Sequence, residues 1–425
     1  MSLYRIILIY AAISFFIASS QAEVSPQIEW KKRKSGWQAT ISYDLELFNC
    51  RKLNIEKIVG DIIILGCSGE FGTILYFSSE QPLQIDAEAD LHANLPIIQL
   101  QDSTLSITGN LQRFIIPVTD FSFQMRILLP VDCELDVSSS GGKLQVQNLN
   151  RQIRIAHTLG DVSLYDIQND VYLHSTNGNA VLKAITGNVT CQILTGDFIA
   201  DQISGNLSFQ GTISDAEMRN LIGEISVSQD GGDLSMKNVQ TNNLTISTSV
   251  GEIDLRQIKS EQPITIQASA GDVSLHDTQG MINLVTNSGN IQIDDHRGTL
   301  MISKFAGDVK VKKLSGTVSV KTNQGDIEVQ MVYREQAVID SVSLLTLNGN
   351  ILFSVPRKLP FSLTATLEWN LGELHIDSSF PLDYRQDRLS LTGRGEILGG
   401  GFPVNLKTGI GMIHIQKNKW SPLDW

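Results

Sequence analysis

The chain has 425 residues, of which 42% are hydrophobic, 18% charged and 7% aromatic, and its formal net charge is −12. That is enough apolar sequence for a large core, and the acidic balance excludes a general nucleic-acid or anionic-membrane surface. The one basic run, residues 31–34, is interpreted as a solvated segment rather than a binding patch.

Residues 1–22 have the pattern of a secretory signal peptide. Arg5 provides the positive region, residues 6–18 form an apolar run, and Ser20 and Ala22 are small residues at the −3 and −1 positions before Glu23. An uncleaved anchor is the alternative, but a membrane-spanning helix needs about 20 apolar residues. We therefore expect export to the periplasm, the cell surface or the extracellular space, with no membrane span after cleavage.

Residues 23–136 are predicted to form an irregular β region that begins and caps the repeat that follows. Strand-like runs occur at 38–42, 58–65, 74–77, 105–108 and 121–129. Cys50 and Cys67 flank the second run, and an even number of cysteines in an exported chain permits disulfides, so whether these two pair is left open. No cysteine or histidine spacing indicates a metal site.

Residues 137–330 repeat one phrase: glycine, a small polar or acidic residue, then alternating apolar residues. It reads GDVSL at Gly160 and Gly271 and GNIQI at Gly289. The phrase recurs every 18 residues, with steps of 19 and 20 near Gly251, and Ser214 occupies one glycine position. A looser second series lies half a period away. A fixed period near 20 residues is typical of stacked repeats.

Each period therefore predicts two turns and two short strands. Ile291 and Ile293 alternate with Gln292, which indicates a strand with one buried face. A further apolar residue often occupies the seventh place after the first-series glycine, and Cys191 occupies an equally inward position as a core thiol. The predicted fold is all-β, a parallel β-helix or β-solenoid with about 18-residue coils, two short strands per coil and an irregular N-terminal cap.

Residues 331–425 are predicted to add solenoid coils with longer loops. The steps lengthen to 24 and 23 at Gly349 and Gly372. Residues 359–367 form a further strand candidate, 392–401 a Gly-rich loop and 409–415 a last strand. Helical signals are nearly absent, apart from one possible short turn over 215–221.

These residues resemble a bacterial family known as "putative adhesin" proteins. The GDVSL and GNIQI phrases, residues 128–142 and the Gly-rich stretch 392–415 carry the resemblance, which spans roughly Ile55 to Gln416. The family contains a domain of unknown function built from Gly-Asp repeats and is related to the head domain of autotransporter adhesins. The resemblance implies an exported, surface-associated β-helix and supplies no catalytic residues.

Two kinds of chemistry are weighed against a purely structural interpretation. The Asp residues after the glycines, such as Asp233, Asp272 and Asp308, could bind Ca²⁺, but the GGxGxD phrase of calcium-binding β-rolls is missing and turn formation explains them. His276, Asp277, Asp294 and Asp295 could share one edge, as a polysaccharide-cleaving site requires. A solvated corner is the favoured interpretation, so no catalytic residue, metal ligand or cofactor is predicted.

The function favoured by the sequence is that of an exported, non-enzymatic solenoid that contacts an envelope protein or a glycan; its binding residues stay unknown. Residues 247–249, 286–288 and 322–323 are candidates for a polar binding ladder, although solvation explains them equally well. The alternatives are a structural, scaffold or sensing component of the envelope, with possible self-association, and a polysaccharide-active enzyme.

Overall fold

The computed structural model describes residues 26–109, 121–334, 338–368 and 375–418. The predicted signal peptide, Gly372 and the tail beyond residue 418 lie outside these residues. The chain divides into two compact units, Met1–Asn169 and Asp170–Trp425.

Within its described residues, the first unit contains one α-helix, α1 (Gln84–Asn94), a 3-10 turn over Leu47–Asn49 and strands β1–β12. The strands are β1 (Gln27–Arg33), β2 (Gly36–Tyr43), β3 (Lys52–Val59), β4 (Asp61–Cys67), β5 (Gly72–Ser79), β6 (Ile97–Gln101), β7 (Thr104–Thr108), β8 (Phe121–Pro130), β9 (Glu134–Gly141), β10 (Leu144–Leu149), β11 (Ile153–Leu159) and β12 (Val162–Ile167).

These strands form two sheets. The first has the order β1-β2-β5-β8-β4-β10-β12, antiparallel as far as β8 and parallel beyond it. The second has the order β6-β7-β3-β9-β11, in which only β6 and β7 are antiparallel. The coil β3–β4 comes first along the chain but lies between β7–β8 and β9–β10. The predicted irregular N-terminal cap is confirmed, and its antiparallel strands cover the first parallel coil.

The second unit continues with strands β13–β38. Its regular strands are β13 (Val171–Asn177), β14 (Ala180–Thr186), β15 (Val189–Thr195), β16 (Phe198–Ser204), β17 (Leu207–Ile213), β18 (Ala216–Ile222), β19 (Ile225–Gly231), β20 (Leu234–Thr241), β21 (Leu244–Val250), β22 (Ile253–Ser260), β23 (Ile264–Ala270), β24 (Val273–Gln279), β25 (Ile282–Thr286), β26 (Ile291–Arg297), β27 (Leu300–Ala306), β28 (Val309–Ser315), β29 (Val318–Gln324), β30 (Ile327–Met331), β31 (Val342–Asn348) and β32 (Ile351–Val355). The terminal strands are β33 (Phe361–Glu368), β34 (Ile376–Ser378), β35 (Asp383–Asp387), β36 (Ser390–Ile397), β37 (Phe402–Ile410) and β38 (Ile413–Lys417).

Each strand from β13 to β30 pairs in parallel with the strand two further along the chain. The odd-numbered strands make one sheet and the even-numbered strands the other, so each coil supplies one strand to each sheet. Phe198 and Phe209 stack between the sheets with ring centroids 4.4 Å apart. The predicted parallel β-solenoid with two short strands per coil is confirmed.

The last coil departs from the order of the chain. Strand β37 lies between β31 and β33, and β38 lies between β32 and β34. Gly411 therefore stacks on Gly349, which is 62 residues earlier, as the hydrogen bond from Met412 N–H to Asn350 Oδ1 shows. The hairpin β35–β36 then covers β33. The sequence did not reveal this order of the coils.

The glycine corners have the conformation that the repeat requires. Gly289 has φ +108°, and a Cβ there would overlap the carbonyl oxygen of Gly271 in the preceding coil. Only glycine combines this φ with so close an approach of two backbones. The predicted alternation also holds, since Ile291 and Ile293 are buried while Gln292 is exposed.

A second corner conformation explains the inward residue at the seventh place. From the Gly142 corner to the Gly307 corner, the sixth place after the first-series corner residue has a left-handed φ although it is not glycine; Asn220, Asn238 and Asp295 are examples, with φ +55°, +55° and +62°. One left-handed residue bends the strand and shifts its alternation by one residue, as a β-bulge does. The seventh residue, Val239 for instance, therefore points into the core.

Three local predictions need correction. Residues 215–221 are not a helical turn, because Ala216–Ile222 is a strand paired with its neighbours on both sides. Residues 392–401 are not simply a loop, because most of them belong to β36. The run 58–65 is two strands separated by Gly60, which has φ +136°. Helix α1 was not predicted; its Ala87 and Leu91 are one turn apart and buried.

Candidate functional site

The odd-numbered sheet of the second unit carries an outer surface without charge. The second and fourth residues of β15 to β27 point outward, and we call this surface the uncharged face. Its residues are Thr190, Gln192, Ser208, Gln210, Ser226, Ser228, Thr245, Ser247, Thr265, Gln267, Asn283, Val285, Met301 and Ser303.

The uncharged face consists of two straight rows because its strands are in register. Ser208, Ser226 and Thr245 are Cα partners in successive strands, as are Gln210, Ser228 and Ser247. Neighbouring strands lie about 4.8 Å apart, so seven strands give rows roughly 30 Å long. Hydroxyl and amide groups can both donate and accept hydrogen bonds, so the rows offer a regular array of polar contacts.

A groove of about 280 Å³ runs beside the first row. It is lined by Thr190, Ser208 and Ser226 of the uncharged face and, at the adjoining corner, by Asn188, Asn206, Glu224 and Asn243. The Asn188 side chain accepts a hydrogen bond from the backbone N–H of Asn206 (3.1 Å), and Asn206 accepts one from Glu224 (3.0 Å). These bonds hold the corner residues in place, so the rim of the groove is ordered.

The even-numbered sheet presents a different outer surface. At the same second and fourth places it carries charged residues, and opposite charges meet across and along the strands. Arg219 lies 3.7 Å from Asp201, Arg256 lies 2.8 Å from Asp254, and Lys310 pairs with Glu328. A charged surface whose charges pair among themselves is typical of a solvated face.

The acidic residues after the glycines form a ladder, and their main contact is structural. The Oδ1 atom of Asp215 accepts a hydrogen bond from the backbone N–H of Asp233 (2.8 Å), and Asp233 does the same for Glu252 (2.8 Å). Each carboxylate thus bonds to the next coil rather than to its own turn, which the sequence did not reveal. A groove of about 320 Å³ follows this corner. Among the described residues no group of three or more His, Cys, Asp or Glu side chains is arranged to hold a metal ion.

The four residues considered for glycan cleavage lie close together but already have partners or point outward. Asp294 lies 3.2 Å from Lys313, and Asp295 lies 2.8 Å from Arg334. Strand register places His276 opposite Asp294 on the outer side. Burial raises the pKa of Asp295, while the hydrogen bond and charge of Arg334 outweigh it and leave the pKa below its usual value. The carboxylate of Asp295 is therefore held ionised, the opposite of what a general acid requires.

His296 is next to Asp295 in the sequence but occupies the core. It fills the seventh place, where most coils have an aliphatic residue, and its Nδ1 atom lies 2.9 Å from the Thr278 hydroxyl in the preceding coil. Burial lowers the pKa of His296 to about 4. The imidazole is therefore neutral at physiological pH and cannot act together with the outer carboxylates.

Buried polar side chains form an inner column that sequence reasoning missed. Lys304 and Thr346 occupy the fifth place of their odd-numbered strands, and Thr408 is the register partner of Thr346 in β37. These three side chains donate to the carbonyl oxygen of a glycine at the preceding corner: Lys304 to Gly289, Thr346 to Gly325 (3.0 Å) and Thr408 to Gly349 (2.7 Å). Burial lowers the pKa of Lys304 to about 8. The signal was present, since a polar residue recurs at that place in the repeat.

Some residues of the predicted polar binding ladder belong to this inner column and are therefore buried. Thr248, Thr286 and Thr322 are buried, while Ser247, Ser249 and Asn287 beside them are exposed. Only the exposed members are available for contact with a partner, and Ser247 belongs to the uncharged face.

The cysteines are placed differently from the pairing considered above. Cys50 Sγ lies 3.7 Å from Cys133 Sγ, whereas Cys67 Sγ donates to the carbonyl of Glu70 (3.3 Å). The fold therefore places Cys50 next to Cys133 rather than next to Cys67. Cys191 is buried in the core, as predicted, and burial raises the pKa of its thiol.

The fold and its glycine corners define an all-β, parallel solenoid. Residues 188–302 match the family model described as Toastrack DUF4097, so this part of the second unit, which carries most of the uncharged face, is similar to that family. No curated protein matches the chain. A crystal structure of a "putative cell adhesion protein" from Clostridium sporogenes is similar at 9% identity with a TM-score of 0.18, covering 93% of this chain and 100% of that one. The sequence identity and the TM-score are both low, so the fold is assigned from the strand pairing alone.

Within the described ranges, no helix has the length and apolar character needed to cross a bilayer.

Proposed function

We propose that this chain is an exported, non-enzymatic contact protein of the bacterial envelope, and that its uncharged face binds a protein or a glycan partner. One observation carries the proposal: the two sheets share one interior pattern, but the outer rows from Thr190 to Ser303 contain no charge while the opposite sheet is charged. Self-paired charges keep a surface solvated, whereas uncharged hydroxyl and amide rows can be dehydrated at a smaller cost.

The non-enzymatic part of the proposal is supported by the placement of the residues considered for catalysis. The carboxylates of Asp294 and Asp295 are engaged by cationic side chains, and His296 lies on the other side of the strand. Export is supported by the signal-peptide pattern of residues 1–22. The surface role agrees with the resemblance of the repeat to the adhesin family.

The experiment compares two double variants on one scaffold. Ser228→Lys with Ser247→Lys places two charges on the uncharged face, and Ser235→Lys with Ser274→Lys places two charges on the opposite sheet. Each immobilised protein is incubated with a detergent extract of the envelope, and bound protein and polysaccharide are both quantified.

We expect the unmodified chain and the second variant to retain the same discrete partner, and the first variant to lose at least about tenfold of it, because a buried interfacial charge without a partner costs more than 1.4 kcal/mol. Equal retention by all three proteins would contradict the proposal. Recovery of further copies of this chain alone would favour the scaffold function instead.

A further inference from the structure

Two cysteines of the first unit lie at equivalent ends of neighbouring strands. Cys50 follows the 3-10 turn just before β3, and its N–H donates to the carbonyl of Leu47 (2.9 Å). Cys133 lies just before β9, and its N–H donates to the carbonyl of Pro130 (3.2 Å). Strands β3 and β9 are parallel neighbours with Lys52 opposite Glu134. The two thiols are therefore held at the same level by paired backbones.

The two sulfur atoms face each other in a buried pocket of the fold. They are 3.7 Å apart, and neither side chain is more than 3% exposed. Each thiol also has a nearby carbonyl acceptor, that of Lys52 for Cys50 (3.3 Å) and that of Glu134 for Cys133 (3.6 Å). A disulfide needs sulfur atoms about 2 Å apart, a distance that small rotations of both side chains supply.

We propose that Cys50 and Cys133 form a disulfide that joins β3 to β9 when the chain is in an oxidising compartment. The pair lies in the first unit, so this bond does not depend on partner binding by the uncharged face in the second. Cys67 and Cys191 have no role in it.

The reaction is a thiol–disulfide exchange with a small-molecule disulfide such as oxidised glutathione. The hydrogen bond from Cys133 lowers the pKa of Cys50 to about 7, so Cys50 supplies the attacking thiolate. It bonds to one glutathione sulfur and releases the other glutathione as a thiol. Cys133 then loses its proton and attacks the Cys50 sulfur, releasing the second glutathione. Two protein thiols are oxidised and one glutathione disulfide is reduced.

The bond would strengthen the part of the first unit where the order of the coils differs from their order in the chain. The β3–β4 coil is separated from its partner β9 by a long excursion through β5 to β8, and residues 50 and 133 are 83 apart in sequence. Cross-links that close long loops remove much conformational freedom from the unfolded chain. We expect oxidation to raise the unfolding temperature of the transition that includes the first unit by roughly 10 °C.

The test uses the full chain after signal cleavage and a Cys67→Ser, Cys191→Ser variant in which Cys50 and Cys133 are the only thiols. Both are reduced, incubated with oxidised glutathione, alkylated and digested without reductant. We expect a linked peptide pair containing Cys50 and Cys133, an intact mass lower by two hydrogen atoms, and a higher unfolding temperature that dithiothreitol reverses.

Several results would overturn the proposal. These are glutathione adducts without a linked pair, alkylation of both thiols, or a link from Cys50 to Cys67 in the unmodified chain. The Cys133→Ala variant is the control for the temperature shift: it must fold yet show no rise on oxidation. If it does not fold, the peptide map of the unmodified chain alone decides.

Discussion

Strands β19 and β20 follow one another in the chain and present different chemistry to solvent. Inside, Ile225 and Val227 of β19 and Leu234 and Met236 of β20 are equally buried. Outside, β19 has serines at its second and fourth places, whereas β20 has Ser235 and Lys237. The comparison teaches that the repeat constrains only the inward half of each coil. The outward half is free to vary, so the proposed contact function is assigned to that half.

The largest effect is expected from a change that damages the frame shared by both sheets. Gly232 has φ +107° and a Cβ there would overlap the carbonyl of Ser214, whereas a Cβ at Gly231 would be 3.6 Å from the carbonyl of Thr212. Gly232→Ala should therefore lower the free energy of unfolding by about 4 kcal/mol, from backbone strain plus overlap. Gly231→Ala should change it by less than about 1 kcal/mol. Urea unfolding of both variants is the measurement, and equal losses would contradict the corner geometry.

The next prediction tests whether the two sheets really share one interior. Leu234 begins β20, Leu244 begins β21, and both are buried. Leu234→Ala and Leu244→Ala should each cost about 3 kcal/mol of unfolding free energy, because each removes similar buried surface and leaves a similar cavity. A difference between them above about 2 kcal/mol would show that the sheets are not packed alike.

The third prediction concerns a polar group inside the even-numbered sheet. The pKa of buried His296 is about 4 in the folded chain against an ordinary value of 6.5. As the pH falls, the unfolded chain binds this proton first, so stability that is present above pH 6.5 is lost between pH 6.5 and 4. The loss from this one group should approach 3 kcal/mol. Unfolding free energies of the unmodified chain and of His296→Leu, measured across that range, should diverge; parallel curves would refute the buried, neutral imidazole.

The smallest effect is expected on the outer charged surface. Asp294→Asn removes the ion pair with Lys313, whose partners are 3.2 Å apart and partly exposed. The loss should be below about 1 kcal/mol and should shrink further in high salt. A loss of several kcal/mol in thermal or urea unfolding would mean that this surface, too, is a structural element.

Much of the coil structure could be predicted because the glycine spacing and the apolar alternation recur in every coil. Inward residues such as Ile291 and Ile293 could be assigned from period-two alternation alone. The inward direction of His296 could not, because it depends on the left-handed φ of Asp295, which shifts the alternation by one residue. No glycine marks that corner, and only the apolar residues at the seventh place of other coils indicated that this position points inward, on the side of the strand opposite Asp294.

The cap of the first unit and the last coil of the second unit were less predictable for a different reason. The repeat predicts that coils stack, but it does not predict which coil lies next to which. Because the glycine phrases of different coils are similar, several stacking orders are compatible with the sequence. Gly60 lies 82 residues before Gly142, yet the Lys143 N–H bonds to Asp61 Oδ1 at 2.9 Å. The contact between Cys50 and Cys133 follows from the same long-range pairing, so it could not be read from their positions in the chain.

Position-specific photo-crosslinking tests the central claim most directly. A benzophenone amino acid is placed at Ser228 on the uncharged face or at Ser235 on the charged sheet, in adjacent strands of one coil. Intact cells that produce the protein are then irradiated. We predict a discrete crosslinked product from position 228 and none from position 235. Crosslinks from position 235 alone, or equally from both, would contradict the assignment of the uncharged face as the contact surface.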